Sequence, residues 1–244
     1  MRKFGLIGYP LSHSFSQKYF TEKFQRLGIT DCRYELYPIE DIAGVKALLQ
    51  DPELCGLNVT IPYKQLVIPY LGGMNDVVRE IKACNCIKIA NGIAMGYNTD
   101  VAGFRESLVR KLQPFHNRAL ILGTGGASKA VEYVLRKLHI EYKYVSRKGG
   151  EGVLSYAEVD EEVIYSHTLI INTTPLGMYP KVDECPPLPY EAIDARHYLF
   201  DLVYNPARTL FLRSGEQRGA AVENGYDMLI GQAEESWRIW NRAD

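Results

Sequence analysis

No stretch of the 244 residues approaches the roughly 18 consecutive apolar residues that a membrane-spanning helix needs. Neither sign of charge is in excess. The 28 Lys and Arg against 29 Asp and Glu leave a net charge of -1, which supplies no basic field for nucleic acid and no polybasic patch for a lipid surface. Cysteine is sparse: Cys32, Cys55, Cys84, Cys86 and Cys185 are odd in number and scattered. Strand alternation would put Cys84 and Cys86 on one face, but no second Cys or His cluster supplies the remaining ligands that zinc requires. The expectation is therefore reduced thiols in or near the core and no metal site. Repeats, low-complexity tracts and long linkers are also missing. The opening MRKFGLIGYP has a basic start but no apolar segment of the length used for secretion. It reads as a first strand, and a cytoplasmic protein is expected.

What is present is an ordinary globular composition, 46% hydrophobic and 23% charged. Strand and helix patterns alternate almost throughout, which predicts an α/β protein with largely parallel sheets. KFGLIG opens as a strand. SFSQKYFTEKFQRLG then places Phe20, Phe24 and Leu27 at helical spacing, with Gly28 as the stop. RYELYPI and CGLNVTI follow as strands around a helical stretch at 40–50. CNCIKIANGIAMGYN reads as two strands joined at Asn91-Gly92, a hairpin signal. After a helix, VAGFRESLVRKL, a second start at RALILGTGGASKAVEYVLRKLHIEYKYVSRK spells one βαβ unit. TLIINT and YLFDLVY extend that sheet. The closing YDMLIGQAEESWRIWNR is helical, with Met228, Leu229, Trp237 and Trp240 to bury. The expected organisation is a first domain at 1–100, a second at 101–224, and a final helix at 225–244 that returns to the first.

Gly123, Gly125 and Gly126 fall where the strand ALILG turns into a helix near Ala127. Glycines there permit positive φ and let the backbone approach a pyrophosphate, while the helix N-terminus offers free N–H groups to the anion. A tight strand–helix turn also uses glycine for steric reasons alone. The context, a strand before, a helix after and a second strand ending about 20 residues on, fits the dinucleotide fingerprint. Ser128 stands at the third glycine. At the end of the second strand an NAD site would carry an acid for the ribose 2′-hydroxyl. The chain instead has Ser146-Arg147-Lys148. These are either a solvated loop or a grip for a 2′-phosphate, which a guanidinium binds with paired hydrogen bonds. With the glycine turn, the balance tips to NADP.

Polar residues also gather at strand ends of the first half. His13, Ser14 and Ser16 follow strand one; Asn58, Thr60 and Lys64 follow a later strand; Asn85 sits in the hairpin, which Asn98-Thr99-Asp100 closes. Each has a plain structural use: a helix N-cap for Ser14, Ser16, Thr99 or Asp100, a satisfied core amide for Asn85, a surface charge for Lys64. Together they could converge on one crevice outside the strand ends.

These residues resemble the shikimate dehydrogenase family. The likeness runs through GYPLSHSFS (8–16), NVTIPYK (58–64), ACN (83–85), GYNTD (96–100), GTGGAS (123–128), NTTPLGM (172–178), DLVYNP (201–206) and NGYDMLIGQA (224–233), in order and over essentially the whole chain. The resemblance implies an α/β substrate-binding catalytic domain and a Rossmann-type NADP-binding domain with a parallel sheet. It implies NADPH-dependent reduction of 3-dehydroshikimate to shikimate, on the route to chorismate and the aromatic amino acids, by a cytoplasmic monomer or homodimer whose partner is a small molecule. It makes Lys64 and Asp100 the catalytic pair. Ser14 and Ser16 would donate to the substrate carboxylate, with Phe15 between them turned into the core. Asn58, Thr60, Asn85, Tyr204 and Gln232 would hold the ring. Gly123, Gly125, Gly126 and Ala127 would hold the pyrophosphate, Ser146, Arg147 and Lys148 the 2′-phosphate, and Thr173, Leu202 and Gly225 the rest of the cofactor. The departures are Gln17, Lys82, Val101, Thr124 and Ser146-Arg147-Lys148, at positions where the family usually has Pro, Gly, Gly, Ala and Asn-Arg-Thr. Two other readings stand beside this one: a quinate/shikimate dehydrogenase of broader use, and a protein that binds NADP without turnover.

Overall fold

The computed structural model describes residues 1–11 and 14–242; His13 lies outside them. The chain divides into two compact units, Met1–Thr99 with Ala233–Asp244, and Asp100–Gln232.

The first unit contains β1 (Arg2–Gly8), α1 (Phe15–Arg26), β2 (Cys32–Pro38), α2 (Val45–Leu48) and β3 (Leu54–Val59). It continues with α3 (Tyr63–Leu66), β4 (Gly73–Met74), α4 (Asp76–Ile81), β5 (Cys86–Ala90) and β6 (Ile93–Tyr97). Its six strands lie in the order β2-β1-β3-β5-β6-β4. β1 pairs in parallel with both β2 and β3, so neither edge is free, and apolar clusters cover both faces, Phe4 and Leu6 on one and Ile7 on the other, so it reads as a nearly continuous apolar run. β5 and β6 form an antiparallel hairpin closed at Asn91 (φ 52°) and Gly92 (φ 74°), the positive pair that a type I′ turn demands.

The second unit contains α5 (Asp100–Leu108), β7 (Arg118–Leu122), α6 (Gly126–Lys137), β8 (Glu141–Ser146), β9 (Val153–Ser155) and α7 (Glu161–Ser166). β10 (Leu169–Asn172), β11 (Tyr198–Asp201), α8 (Leu210–Glu216), β12 (Ala221–Glu223) and α9 (Tyr226–Asn241) follow. All five strand pairings are parallel and the order is β12-β11-β10-β7-β8-β9. Counted from β7, this is the doubly wound order 3-2-1-4-5-6, whose direction reverses between β7 and β10. Apolar clusters on both faces bury β7 and β10 throughout their inner residues.

Helix α9 is shared. Met228 enters the second unit's core, and Gly103 of α5 approaches the Met228 and Gln232 backbones so closely that an added Cβ would lie 2.4 and 2.8 Å away. From Ala233 onward the helix belongs to the first unit, where Trp240 stacks on Phe4 at 4.8 Å and donates to the Ile87 carbonyl.

Three expectations change. The stretch at 40–50 is not one helix but a 3-10 turn at Ile42–Gly44 followed by the single turn α2. The helix after residue 100 ends at Leu108 rather than 112. Cys84 and Cys86 do not share a face: Cys84 joins the cluster with Leu57 and Ile87, Cys86 the one with Phe4 and Trp240. The strand begins only at Cys86; at Cys84 the backbone turns aside to donate to the Lys64 carbonyl. All five cysteines are free thiols.

Candidate active site

In the first unit, β3 delivers Asn58 at its buried end, and the chain leaves the sheet at Thr60, whose N–H donates to Ile7 and whose carbonyl accepts from Tyr63. Ile61-Pro62 then starts α3, so Lys64 stands half-buried on a single helical turn. Its carbonyl accepts the Cys84 N–H at 2.7 Å, which ties the lysine's backbone to the segment bearing Asn85. Asn98 donates to Ala83. The Thr99 N–H donates to Asn85 Oδ1 at 2.6 Å, and Asn85 Nδ2 donates to Thr99 Oγ1 at 3.0 Å. Those bonds fix the residue just before Asp100, the first residue of α5 and of the second unit.

Asn58 is held still more tightly. Its Oδ1 accepts the Tyr34 phenol at 2.8 Å, and its Nδ2 donates to Ser236 Oγ at 2.9 Å and to the Asn85 carbonyl at 3.4 Å. Ser236 Oγ in turn lies 3.2 Å from Thr99 Oγ1. Burial raises the Tyr34 phenol well above its ordinary range, against a hydrogen bond from Ser16. A continuous chain, buried from Tyr34 onward, thus runs Ser16–Tyr34–Asn58–Ser236–Thr99–Asn85. Both donor hydrogens of Asn58 are used inside the fold, whereas Asn85 keeps one N–H beyond its bond to Thr99. Ser14 is the N-cap of α1, its Oγ accepting from Gln17 N at 3.4 Å, which leaves the O–H free to donate elsewhere. Phe15 is half-buried and stacks on Tyr19. Tyr34 and Ser236 were missed by sequence reasoning. A tyrosine in mid-strand and a serine inside a helix carry no local signal, and only the fold joins them.

The other two substrate candidates, Tyr204 and Gln232, lie in the second unit. Tyr204 is exposed beyond β11, and Gln232 is buried with its Nε2 bonded to the Leu229 carbonyl.

The ten cofactor candidates gather at the carboxyl edge of the second sheet. Gly123 follows β7 with φ 102°, its N–H donating to Val145 at the end of β8. An added Cβ there would meet Thr173 Oγ1 at 2.9 Å, so the residues after β7 and β10 touch at the point where strand order reverses. Thr173 Oγ1 donates to the Leu122 carbonyl at 2.7 Å. Leu202 follows β11 and donates its N–H to Asn172. Gly225 packs on the Leu202 carbonyl with no room for a Cβ, which would lie 2.1 Å from it. Gly125 is the N-cap of α6 and makes no side-chain cap; an added Cβ at Gly125 or Gly126 would meet nothing within 4 Å. Ala127 continues the first turn. Ser128 Oγ folds back on the Gly125 carbonyl at 2.7 Å, which is how a serine fits the third glycine position. Ser146 ends β8, paired with Ser155, and Arg147 and Lys148 stand exposed just beyond. The Arg147 charge also faces the Tyr156 phenol, whose pKa burial raises and Arg147 lowers.

A helix N-terminus without a cap, open space above two glycines, and two cations where an acid would otherwise stand suit a dinucleotide with an additional phosphate. This fold and edge define an α/β protein with a Rossmann-type dinucleotide-binding domain. Residues 6–87 match the family model of the shikimate dehydrogenase substrate binding domain. A shikimate dehydrogenase (NADP(+)) of Methanococcus maripaludis is 37% identical over 97% of this chain and 90% of its own. Among solved structures, a chorismate mutase/shikimate 5-dehydrogenase fusion protein from Clostridium acetobutylicum is 34% identical, with a TM-score of 0.89 over 99% of this chain and 91% of that one. The Thermus thermophilus shikimate 5-dehydrogenase in complex with NADP(H) and shikimate is 28% identical, with a TM-score of 0.87 over 99% and 94%. The chain belongs to the shikimate dehydrogenase family.

Proposed function

We propose that the protein reduces 3-dehydroshikimate to shikimate, reversibly, with NADPH, and does so in the cytoplasm. The first unit supplies most of the ring's partners, and the second holds the cofactor. When bound, the cofactor supplies the hydride. Hydride addition to a ketone leaves an alkoxide, which needs a proton and stabilisation of its charge. Lys64 donates that proton from its ammonium, and Asp100 orients the lysine by a charge-assisted hydrogen bond. Asn85 offers its remaining N–H to a ring hydroxyl, with Thr60, Tyr204 and Gln232 as further ring contacts. Ser14 donates to the carboxylate, and Ser16 does so when its hydroxyl turns from Tyr34 to the substrate. Asn58 contributes by fixing Tyr34, Ser236 and the Asn85 backbone.

The observation that carries this reading is the buried chain ending at Asn85 and Thr99. It builds a rigid polar floor beside Lys64, in a protein whose other unit is a dinucleotide fold. The test is an assay of shikimate and of quinate, each with NADP and with NAD, followed by absorbance of the reduced cofactor. Quinate carries an extra hydroxyl on an sp³ carbon. Burying it unpaired costs about 1–3 kcal/mol, roughly tenfold to a hundredfold in kcat/KM. Strong preference for shikimate with NADP is expected. Comparable values for quinate would overturn the specificity, and no turnover with any pair would overturn the enzyme.

A further inference from the structure

Asp201 is fully buried at the last position of β11, and neither the hydride nor the proton chemistry uses it. Its carboxylate collects donors from three segments. Oδ1 accepts from Asn172 Nδ2 and from Val203 N, both at 3.0 Å, and Oδ2 accepts from Thr209 Oγ1 at 2.5 Å. Asn172 is its register partner at the end of β10 and is itself fully engaged: Oδ1 accepts the N–H and hydroxyl of Thr174, and its carbonyl accepts Leu202 N. Val203 passes the linkage on, its carbonyl accepting Gly225 N at 3.2 Å. Thr209 caps α8 and packs against Gly177, and Tyr179 N donates to Asn205, so the two loops are also joined farther out.

We propose that Asp201 is the positioning residue of the cofactor edge. Through Asn172, Val203 and Thr209 it sets the loops that present Thr173, Leu202 and Gly225. The carboxylate does not touch the cofactor; it decides where those three residues stand. A neutral amide of the same shape replaces it poorly: its oxygen could still accept from Asn172 and Val203, but its NH2 would take the place of the acceptor to which the Thr209 hydroxyl now donates, leaving that buried O–H without its partner. A buried group left unpaired in this way costs more than an ordinary hydrogen bond contributes. Burial raises the carboxyl to about 6 even though three donors favour its charged form, so near neutral pH the brace holds a carboxylate.

This inference rests on the reading that NADP binds at this edge, and the experiment separates the two. NADPH binding by wild type, Asp201→Asn and Thr209→Val is measured by fluorescence titration at pH 7.5, with KM for NADP, KM for shikimate, kcat and thermal unfolding recorded for each. Asp201→Asn should weaken NADPH binding and raise KM for NADP roughly tenfold to a hundredfold, the range for a buried bond to a charged group. KM for shikimate should rise less, by at most about threefold, since of the proposed ring partners only Tyr204 stands on the braced loop. Thr209→Val, which removes one of the three donors and keeps the carboxylate, should move KM for NADP the same way by about threefold to tenfold. It answers the question even if the Asp201 variant fails to fold. Folded variants with a lowered Tm but unchanged cofactor affinity, or with equal losses for both substrates, overturn the brace alone. Wild-type protein that does not bind NADPH overturns the cofactor reading and the brace with it.

Discussion

In the first unit the polar groups at the strand ends are buried and bonded to one another, Asn58 at 5% exposure, Asn85 at 3%, Thr99 and Ser236 at 0%. In the second, Gly125 and Gly126 of the β7 turn open onto free space and Arg147 and Lys148 are exposed. One unit presets side chains, and the other presents backbone N–H groups and exposed cations. Recognition of a small rigid ring rewards the first arrangement, because each hydroxyl needs one partner at one angle. A long flexible dinucleotide suits the second, since a helix N-terminus and exposed cations tolerate small differences in placement. Changes in the first unit should therefore act on substrate and chemistry, and changes at the carboxyl edge of the second unit's sheet on cofactor affinity.

The largest effect tests that division at Lys64. Lys64→Ala should lower kcat by roughly 10²–10⁴-fold, the range for general acid–base catalysis, and leave the Kd for NADPH unchanged. Pre-steady-state turnover and fluorescence titration measure the two separately. A mutant with near wild-type kcat would return Lys64 to the role of a surface charge on α3.

The two units also differ in what they bury. The first unit's network is of neutral groups; the second encloses the Asp201 carboxylate. Its folded pKa, about 6, lies above the ordinary value of 3.8. With the pKa raised on folding, the folded state binds the extra proton between pH 3.8 and 6. Stability from this group is thus fully present in acid and lost as pH rises through 6, a swing of about 3 kcal/mol. Other carboxylates run the opposite way, as with Asp194, held at about 2 chiefly by its hydrogen bonds from Arg196. The clean measurement is consequently a difference. By urea unfolding, wild type should gain about 2–3 kcal/mol on Asp201→Asn between pH 7.5 and 4.5. A pH-independent difference would mean that the carboxylate is not titrating there.

Arg147 sharpens the comparison from the other side. Arg147→Ala should raise KM for NADP roughly tenfold to a hundredfold through loss of charge-assisted bonds to the 2′-phosphate. The slower NAD reaction and KM for shikimate should stay within about twofold. Equal losses with NADP and NAD would make Arg147 a support for the loop after β8, acting on Tyr156, rather than a phosphate ligand.

Local sequence exposed much of this design. The βαβ unit, the Asn91-Gly92 hairpin and the run of strand ends were legible because each element carries its own periodicity and its own turn residues. β4, β9 and β12 were not, being two or three residues long and therefore without a measurable period. The site was legible in its outer members and opaque in its supports. Lys64, Asp100 and the glycine turn are marked by sequence context. Tyr34 and Ser236 act on Asn58 from 24 and 178 residues away, and no short window of sequence contains both ends. The split of α9 at Gln232 has the same origin: its buried stripe of Met228, Gln232, Ala233, Ser236 and Trp240 carries no sign of a break, and the close approach of Gly103 packs its first turns into the second unit.

The smallest effect concerns Lys82, where the family usually has glycine. Lys82 is the C-cap of α4, in the left-handed conformation with φ 54° and ψ 38°, its N–H closing on the Val78 carbonyl. A side chain in that region crowds the following carbonyl by about 1–2 kcal/mol, a cost glycine escapes. Glycine in turn loses more chain entropy on folding, which returns about half of the gain. Lys82→Gly should therefore stabilise the first unit by about 1 kcal/mol or slightly less, read from denaturant unfolding. The same substitution probes what holds Asn85 only three residues later. If the Asn58–Ser236–Thr99 chain sets that amide, relaxing the end of α4 should leave kcat and KM for shikimate unchanged. A change in KM for shikimate, with stability rising as expected, would show that the strained cap at Lys82 also helps to aim Asn85.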